Sequence, residues 1–229
     1  MDTSTPATTV GLALTCGKVL KARDDPPAGA HPGHATRLLA LTEDVLARAG
    51  IGYSALERIA VGVGPGTFTG LRVGVATARG LAHSLTVELV GVSSLRALAQ
   101  GVLAQSPEAE PRVLAVSDAR RGEAFAAAYV GERQVTAERA LRPAELADLM
   151  GGLRENGQWL AVGDGALRFA DELRGAGGIV ASEDSPLHLI SAAAICDLGA
   201  RAPLAEPQMI LPEYCRRPDA EIALESAEK

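Results

Sequence analysis

The sequence is poor in aromatic residues and cysteine and has no long apolar run. Aromatic residues make up 3% of its 229 residues, while 47% are hydrophobic, so the core must be built from alanine, valine, leucine and isoleucine. The three cysteines are scattered without C-x-x-C spacing, which argues against a disulfide scaffold or a zinc site and is typical of a reducing compartment. No signal peptide or 18-residue apolar run is visible, so we expect a cytoplasmic protein without a membrane span.

Candidate catalytic and metal-binding residues are also few. His31 and His34 stand three apart, but the H-E-x-x-H pattern of a zinc helix is missing, so capping or solvent exposure is favoured over metal binding. Asp2, Asp118 and Asp164 each fall in a predicted turn, where aspartate is favoured for local hydrogen bonds. Any one of them could bind magnesium. The residues therefore show no complete catalytic set and no metal site.

The net charge of −6 does not favour nucleic acid as a direct partner. Contact with RNA would need a local basic patch. The pairs 120–121 and 216–217, each Arg-Arg, are the candidates. Such pairs are more often solvated surface.

A glycine turn between a strand and a helix is the most informative segment. Residues 59–63 are an apolar run, Gly64 and Gly66 flank a proline, and a helix is predicted to begin near Thr69. This arrangement can aim backbone N–H groups at an anion. However, the lysine of a P-loop is missing and the glycine spacing is wrong for a dinucleotide site. A tight turn capped by Thr67 or Thr69 is favoured, and we keep Asp2, Gly64, Gly66 and Thr67 as weak nucleotide candidates.

The helix after this turn carries a ridge of small residues. At 100° per residue, Gly70, Gly74, Ala78 and Leu81 share one face. Interior glycine costs a helix about 1 kcal/mol relative to alanine, so close packing must offset the cost. The surface packed there is either the protein's own sheet or a helix of another chain.

A second helix, predicted over 34–49, has a broad apolar face. Leu38, Leu41 and Val45 lie on one stripe that neighbouring leucines widen to roughly 160°, more than one core contact requires. The helix could bury one flank on a sheet and offer the other to a partner. Full burial within one chain would explain the same pattern.

Strands and helices alternate along the chain, which predicts the α/β class. We expect strands over 8–14, 18–23, 59–63, 87–92, 113–116, 124–130, 159–162 and 179–180. We expect further helices from 69 onward and over 94–103, 143–150, 166–173 and 188–199. A polar linker at 106–111 divides the chain into an N-terminal lobe, 1–105, and a C-terminal lobe, 106–229. Asp2 and Asp118 each stand in a turn beside paired strands, which suggests that the lobes are related.

Several segments together resemble the TsaB (YeaZ) family, the partners of TsaD in making threonylcarbamoyladenosine in bacterial tRNA. The resemblance covers nearly the whole chain and is most specific in the glycine segment. It rests on His34 with Leu38-Leu39 and on DTSTPA (2–7), GVGPGTFTGLR (62–72), GVSSL (91–95), DARRGE (118–123), GDG (163–165) and PEYCR (212–216).

The resemblance implies an actin/hexokinase-like fold of two related lobes, each a mixed sheet with flanking helices. It implies a non-catalytic scaffold or activator of the complex that adds a threonylcarbamoyl group to the adenosine next to the anticodon. Partners would be a TsaD-like subunit and a TsaE-like ATPase, with tRNA met only through the complex and ATP and magnesium used by it. The pairing surface, which could also form a homodimer, would comprise His34, Leu38, Leu41, Val45, Gly70, Leu71, Gly74, Ala78 and Leu81.

Two alternatives remain open. An ATP-binding enzyme of the actin/hexokinase-like class would use the glycine turn near Asp2. A metallopeptidase, a label that this wider superfamily has carried, would need a metal site that His31 and His34 do not build. One departure also matters, because family members usually have an apolar strand before the Asp-Thr-Ser turn and here only Met1 precedes Asp2. We expect a start that lies upstream or has been shortened.

Overall fold

The computed structural model describes residues 1–27, 29–203 and 206–215, so the basic pair at 216–217 lies outside the described residues. In the described residues, the first half of the chain forms four strands and three α-helices. These are β1 (Thr8–Ala13), β2 (Val19–Asp24), α1 (His34–Ala49), β3 (Arg58–Gly64), α2 (Phe68–Leu85), β4 (Glu88–Ser93) and α3 (Ser94–Leu103).

The second half contains six further strands and four helices within the described residues. They are β5 (Arg112–Arg120), β6 (Glu123–Val130), β7 (Arg133–Gln134), β8 (Arg139–Leu141), α4 (Pro143–Arg154), β9 (Leu160–Val162), α5 (Asp164–Arg168), α6 (Ala170–Gly175), β10 (Ile179–Val180) and α7 (Ala192–Arg201). The predicted α/β class is confirmed.

The strands of the described part of the chain form three separate sheets. In the N-terminal half, β1 pairs antiparallel with β2, and β3 pairs parallel with β4. The C-terminal half holds one mixed sheet in the order β10-β9-β5-β6, with β7 and β8 both on β6. In it, β5 runs antiparallel to β6 and parallel to β9. The N-terminal lobe therefore differs from the expected single mixed sheet, because its strands form two pairs.

Two predicted helices differ from the structure for local reasons. The expected helix over 188–199 begins only at Ala192, because the Ser191 side chain accepts a hydrogen bond from the Ala194 N–H and caps it. His188 instead ends a short 3₁₀ turn. The expected helix over 166–173 is split into α5 and α6 at Phe169, whose φ of −110° is not helical.

The C-terminal part of the chain returns to the N-terminal strands. A Cβ built on Gly199 of α7 would overlap the Ala60 side chain in β3, and one on Gly11 of β1 would lie 2.9 Å from the Ala192 carbonyl oxygen. Glu213 also donates its N–H to the Val63 carbonyl at 2.7 Å. The division at residue 105 stays a prediction about domains, but the packing of the two halves crosses it.

Candidate functional site

Asp2 is a buried hydrogen-bonding centre close to the glycine turn. Asp2 is only 1% exposed. Oδ1 accepts from the Ser4 N–H at 2.9 Å and the Ser4 hydroxyl at 2.8 Å, and Oδ2 accepts from the Ser94 hydroxyl at 3.0 Å. The carboxylate therefore joins the first turn to the start of α3. Its oxygens are engaged by the protein's own donors rather than directed at an open cleft.

The glycine turn packs tightly on neighbouring backbone. A Cβ on Gly64 would lie 2.8 Å from the Glu213 carbonyl oxygen, and one on Gly66 would overlap Ser4. The Thr67 N–H donates to the Ser4 carbonyl at 2.8 Å. The turn needs glycine because its own chain lies against it, so close packing explains these glycines without a bound phosphate.

The prediction that a threonine side chain caps the start of α2 is wrong. Thr67 occupies the N-cap position of α2, but its side chain makes no capping hydrogen bond. Thr69 lies inside the helix. The Thr67 carbonyl accepts the Leu71 N–H at 3.0 Å. The proline-containing turn and the contact with Ser4 fix the start of α2 instead.

The small-residue ridge of α2 faces the protein's own interior, and the pairing surface that we expected there stays a prediction. Cβ atoms on Gly70 and Gly74 would overlap the Thr3 carbonyl oxygen and the Thr3 Oγ1, respectively. Ala78 is fully buried in the cluster built on β3. The Thr3 hydroxyl also donates to the Gly70 carbonyl at 2.7 Å. The first turn of the chain thus occupies the space that glycine leaves.

The apolar stripe of α1 is buried in the same way. Leu38, Leu41 and Val45 are 1%, 8% and 1% exposed and pack with strands β1 and β2. Leu71 is fully buried, and Leu81 is half-buried against the cluster on β3. The buried members of this predicted pairing surface make core contacts within this chain, and their role in pairing stays a prediction.

His34 is buried at the start of α1. Its Nδ1 lies 2.9 Å from the Thr8 hydroxyl, and burial lowers the pKa of its imidazole. Nε2 is buried without a hydrogen-bond partner in the described part of the chain. His31 is exposed. Within the described residues, no group of three or more His, Cys, Asp or Glu side chains could hold a metal ion.

The opposite faces of α1 and α2 are exposed, and the sequence reasoning missed them. Leu39 is 41% exposed, and Thr69, Ala76 and Gly80 form an exposed stripe on α2. A Cβ on Gly80 would meet no atom within 4 Å. The 3.6-residue period places Thr69, Ala76 and Gly80 on one face of α2, away from the buried ridge, while Leu39 is exposed on α1. We call Leu39, Thr69, Ala76 and Gly80 the outer stripe.

An aromatic and cationic cluster lies at the N-terminal end of α2. The Phe68 and Tyr214 rings, 41% and 42% exposed, have centroids 5.3 Å apart. The Arg72 guanidinium lies 3.7 Å from the Phe68 ring centroid, and its Nε donates to the Tyr214 hydroxyl at 3.0 Å. Because Tyr214 is distant in sequence, no local pattern could have predicted this cluster.

The carboxylates of the aspartates in the second lobe are also engaged in hydrogen bonds or ion pairs. Asp164 Oδ1 accepts from the Asp118 N–H at 3.0 Å and the Gly165 N–H at 2.9 Å, and burial raises the pKa of this carboxyl. Asp118 pairs with Arg120 and with Arg168, the latter at 3.0 Å. Hydrogen bonds and ion pairs within the second lobe therefore explain both aspartates, and some of them join residues distant in sequence. The predicted turns are wrong at both positions, because Asp118 lies in β5 and Asp164 begins α5.

Glu138 connects the two halves of the chain through a hydrogen bond. Its burial also makes the stability of the protein depend on pH. It lies 2.5 Å from the Ser93 hydroxyl and 3.3 Å from the Tyr129 hydroxyl. Burial, helped by the charge of Glu213, raises the pKa of the Glu138 carboxyl. The folded protein then binds more protons than the unfolded chain above the ordinary carboxyl pKa, so this group lowers stability as pH rises through the window between the two pKa values.

We expect Glu138→Gln to be more stable than the parent at pH 7, because the neutral amide avoids the cost of a buried charge and keeps an oxygen for Ser93. The advantage should disappear near pH 3, below the ordinary glutamate pKa of about 4.3, where the parent carboxyl is protonated in both states. Urea unfolding at both pH values measures it. The exposed Glu183→Gln should show no such difference, and an equal effect of both variants would contradict the assignment.

Comparisons with known proteins now decide the family. The family model described as "TsaD: tRNA N6-adenosine threonylcarbamoyltransferase" matches residues 26–172. The solved structure of YeaZ from Pseudomonas aeruginosa superposes with a TM-score of 0.75 at 30% identity, covering 93% of this chain and 96% of that one. The chain belongs to the TsaB/YeaZ family. With the family, the expected actin/hexokinase-like fold is confirmed, except that the strands of the N-terminal lobe form two pairs instead of one mixed sheet.

Curated relatives extend this result. The TsaB protein of Escherichia coli, named for tRNA threonylcarbamoyladenosine biosynthesis, is 35% identical over 143 residues, 60% of each chain. That of Haemophilus influenzae is 35% identical over 58% of this chain and 53% of its own length. The match therefore spans somewhat more than half of these two relatives. An uncharacterized Mycobacterium bovis protein is 33% identical over 96% of this chain and 92% of its own.

Proposed function

We propose that this TsaB-family chain acts in the synthesis of threonylcarbamoyladenosine in tRNA, as a subunit without a catalytic centre of its own. The observation that carries the proposal is that the chain's own residues fill the region around Asp2. Asp2 and the glycine turn, where an enzyme of this fold would bind nucleotide, are engaged by Ser4, Ser94 and Glu213 of the same chain. The names of the curated relatives supply the pathway.

The partner that we propose is a TsaD-like transferase. This chain itself matches the TsaD family model over residues 26–172, which supports a related fold in the two proteins. Related chains can then pair about a pseudo-twofold axis, as identical chains pair about a true one. The outer stripe, Leu39, Thr69, Ala76 and Gly80, is exposed and mostly small, so a partner helix could approach it closely.

The rest of the assembly follows from the same proposal. A TsaE-like ATPase would join the pair, and ATP and magnesium would be used by the complex rather than held by this chain. The tRNA would be bound only through the complex, in the cytoplasm. The same outer stripe would support a homodimer when the partner is absent. None of the helices in the described residues is long and apolar enough to cross a membrane.

A bulky side chain on the outer stripe should prevent pairing without unfolding the chain. We expect Gly80→Trp to weaken binding of a TsaD-like subunit by at least about tenfold, some 1.4 kcal/mol, measured by titration calorimetry. Gly152→Trp in α4 is the matched control, because Gly152 is also a helical, exposed glycine whose added Cβ would meet no atom within 4 Å. Equal affinities of the two variants would show that pairing uses another surface.

The second candidate, an ATP-binding enzyme of this fold, rests on the position of the glycine turn before α2. It predicts saturable heat when ATP and magnesium are titrated into the isolated chain, whereas the subunit proposal predicts none at millimolar nucleotide. One solved structure, 30% identical, is described by its similarity to "peptidase YEAZ". Metal analysis and a peptidase assay of the purified chain would test that activity here.

A further inference from the structure

Exposed apolar side chains are grouped at the N-terminal end of α2 and on the segment 206–215, which follows α7. Phe68 begins α2, whereas Met209, Leu211 and Tyr214 belong to the segment. These four are 41%, 69%, 56% and 42% exposed, and the described part of the chain has only seven large apolar side chains that are exposed. Apolar side chains grouped in this way indicate a contact site.

The segment is fixed against α2 by a buried residue. Ile210 lies in the cluster on β3, together with Val75 and Ala78 of α2. Met209 and Leu211 stand on either side of Ile210 in the chain, and both remain exposed. Their side chains are therefore presented at the surface by an anchored stretch of backbone.

Arg72 is held between Phe68 and Tyr214. It follows Phe68 by four residues, so the two side chains lie on the same face of α2. The guanidinium lies 3.7 Å from the Phe68 ring centroid, and its Nε donates to the Tyr214 hydroxyl at 3.0 Å. The stacking sets the plane of the guanidinium, and the hydrogen bond sets its rotation within that plane.

The remaining donors of this guanidinium have no partner in the described residues. Arginine carries five N–H groups, and the bond to Tyr214 uses only the one on Nε. Glu213, the neighbour of Tyr214 in the chain, interacts with Glu138 instead. The edge formed by the two Nη atoms of Arg72 is therefore free and fixed in direction. Its paired N–H groups match the two oxygens of a carboxylate.

The surroundings of Arg72 favour a protein as the source of that carboxylate. Tyrosine, phenylalanine, methionine and arginine are enriched in protein–protein interfaces, whereas surfaces that bind nucleic acid are strongly basic. The net charge of the chain is −6. Apolar side chains around an ion pair exclude water when a partner covers them, which strengthens the pair.

Arg72 also borders the outer stripe. At 100° per residue, it is roughly 60° from Thr69 around the axis of α2, and Phe68 is roughly 100° from Thr69 in the same direction. Arg72 thus lies between the outer stripe and the exposed side chains of the segment. A partner that covers both surfaces has this guanidinium near the middle of its contact, where residues with large binding energies cluster.

We propose that Arg72 is the receptor for a carboxylate of the TsaD-like subunit. An Asp or Glu side chain of the partner binds the free Nη edge, and apolar side chains of the partner cover Phe68, Met209, Leu211 and Tyr214. This inference rests on the proposed function, and it extends the pairing surface from the outer stripe to the segment 206–215. Tyr214 is the positioning residue, because its hydroxyl orients the guanidinium.

Arg72→Lys tests the receptor, because lysine keeps the positive charge but loses the planar edge. We expect binding of the TsaD-like subunit, measured by titration calorimetry, to weaken at least about tenfold. The melting temperature should change by less than about 2 °C, as for an exposed side chain. Tyr214→Phe keeps the ring and removes the orienting hydroxyl, so it should weaken binding about threefold.

Arg79→Lys is the matched control, since Arg79 lies two turns further along the same face of α2. It should bind the TsaD-like subunit within about twofold of the parent chain. Equal affinities of Arg72→Lys and Arg79→Lys would overturn the proposal. A fall in melting temperature that accounts for the whole loss of binding in Arg72→Lys would also overturn it, because the role of Arg72 would then be structural.

A double-mutant cycle identifies the partner's acid. Each exposed Asp or Glu of the TsaD-like subunit is replaced by its amide. One replacement should weaken binding to the parent chain as much as Arg72→Lys does, and it should have no further effect on Arg72→Lys. The absence of any acid coupled to Arg72 would overturn the proposal.

Gly80→Trp separates this result from the pairing proposal. If Gly80→Trp weakens binding while Arg72→Lys binds like the parent, only the carboxylate receptor is overturned. A parent chain that does not bind the TsaD-like subunit would overturn both proposals.

Discussion

Gly74→Ala should destabilise the protein by about 1–3 kcal/mol, the range for overpacking a filled core. The added methyl group would overlap the Thr3 hydroxyl, which hydrogen-bonds the Gly70 carbonyl at 2.7 Å. Relief would require Thr3 to move, and with it the turn that carries Asp2. The loss should appear even though alanine favours a helix interior by about 1 kcal/mol over glycine. Urea unfolding monitored by circular dichroism measures it.

Gly80→Ala is the matched control, since the same substitution in the same helix meets open space. There, only the helix propensity changes, so the variant should be more stable than the parent by up to about 1 kcal/mol. The two alanine variants are therefore expected to differ in sign. If both were stabilising, the Gly70–Gly74 ridge would not be packed against Thr3. A substitution at Gly74 is for the same reason a poor probe of subunit pairing, because it perturbs the fold first.

The sequence predicted the ridge but not what the ridge contacts. Helical periodicity assigns Gly70, Gly74 and Ala78 to one face, and the glycine penalty shows that something packs there. Both conclusions hold in the structure. The neighbour is Thr3, more than sixty residues earlier in the chain, and periodicity contains no information about so distant a contact. The packed surface belongs to this chain, as one of the two alternatives had it, but at Gly70 and Gly74 it is the first turn, and only Ala78 packs in the cluster of β3.

The α/β class and most element positions could be predicted because they depend on local patterns. Helix α1 begins and ends at the predicted residues, His34 and Ala49, and Gly50 ends it with a φ of 71°. The start of α7 was missed because the apolar period continues upstream of Ser191, while the backbone follows the serine cap. The separation of β1–β2 from β3–β4 concerns strand pairing, which local sequence does not determine.

Asp2→Ala should cost about 3–5 kcal/mol of folding stability, the largest effect of a single substitution that we predict. Removing the carboxylate would leave the Ser4 N–H, the Ser4 hydroxyl and the Ser94 hydroxyl without their acceptor in a buried site. Hydrogen bonds to a charged group contribute about 1.5–3 kcal/mol each, and buried donors without a partner add a desolvation cost. Urea unfolding at neutral pH measures the loss.

Asp2→Asn separates the loss of the hydrogen bonds from the loss of the charge. The amide has the same shape, its oxygen can still accept from Ser4, and the Ser94 hydroxyl can accept from its N–H groups. We expect it to retain most of the stability that Asp2→Ala loses. If Asp2→Ala instead folded normally and only nucleotide binding declined, Asp2 would be a ligand-binding residue and the ATP-binding enzyme would become the better interpretation. The unfolding measurement on Asp2→Ala therefore tests the proposed function as well as the fold, because it distinguishes a buried structural carboxylate from a catalytic one.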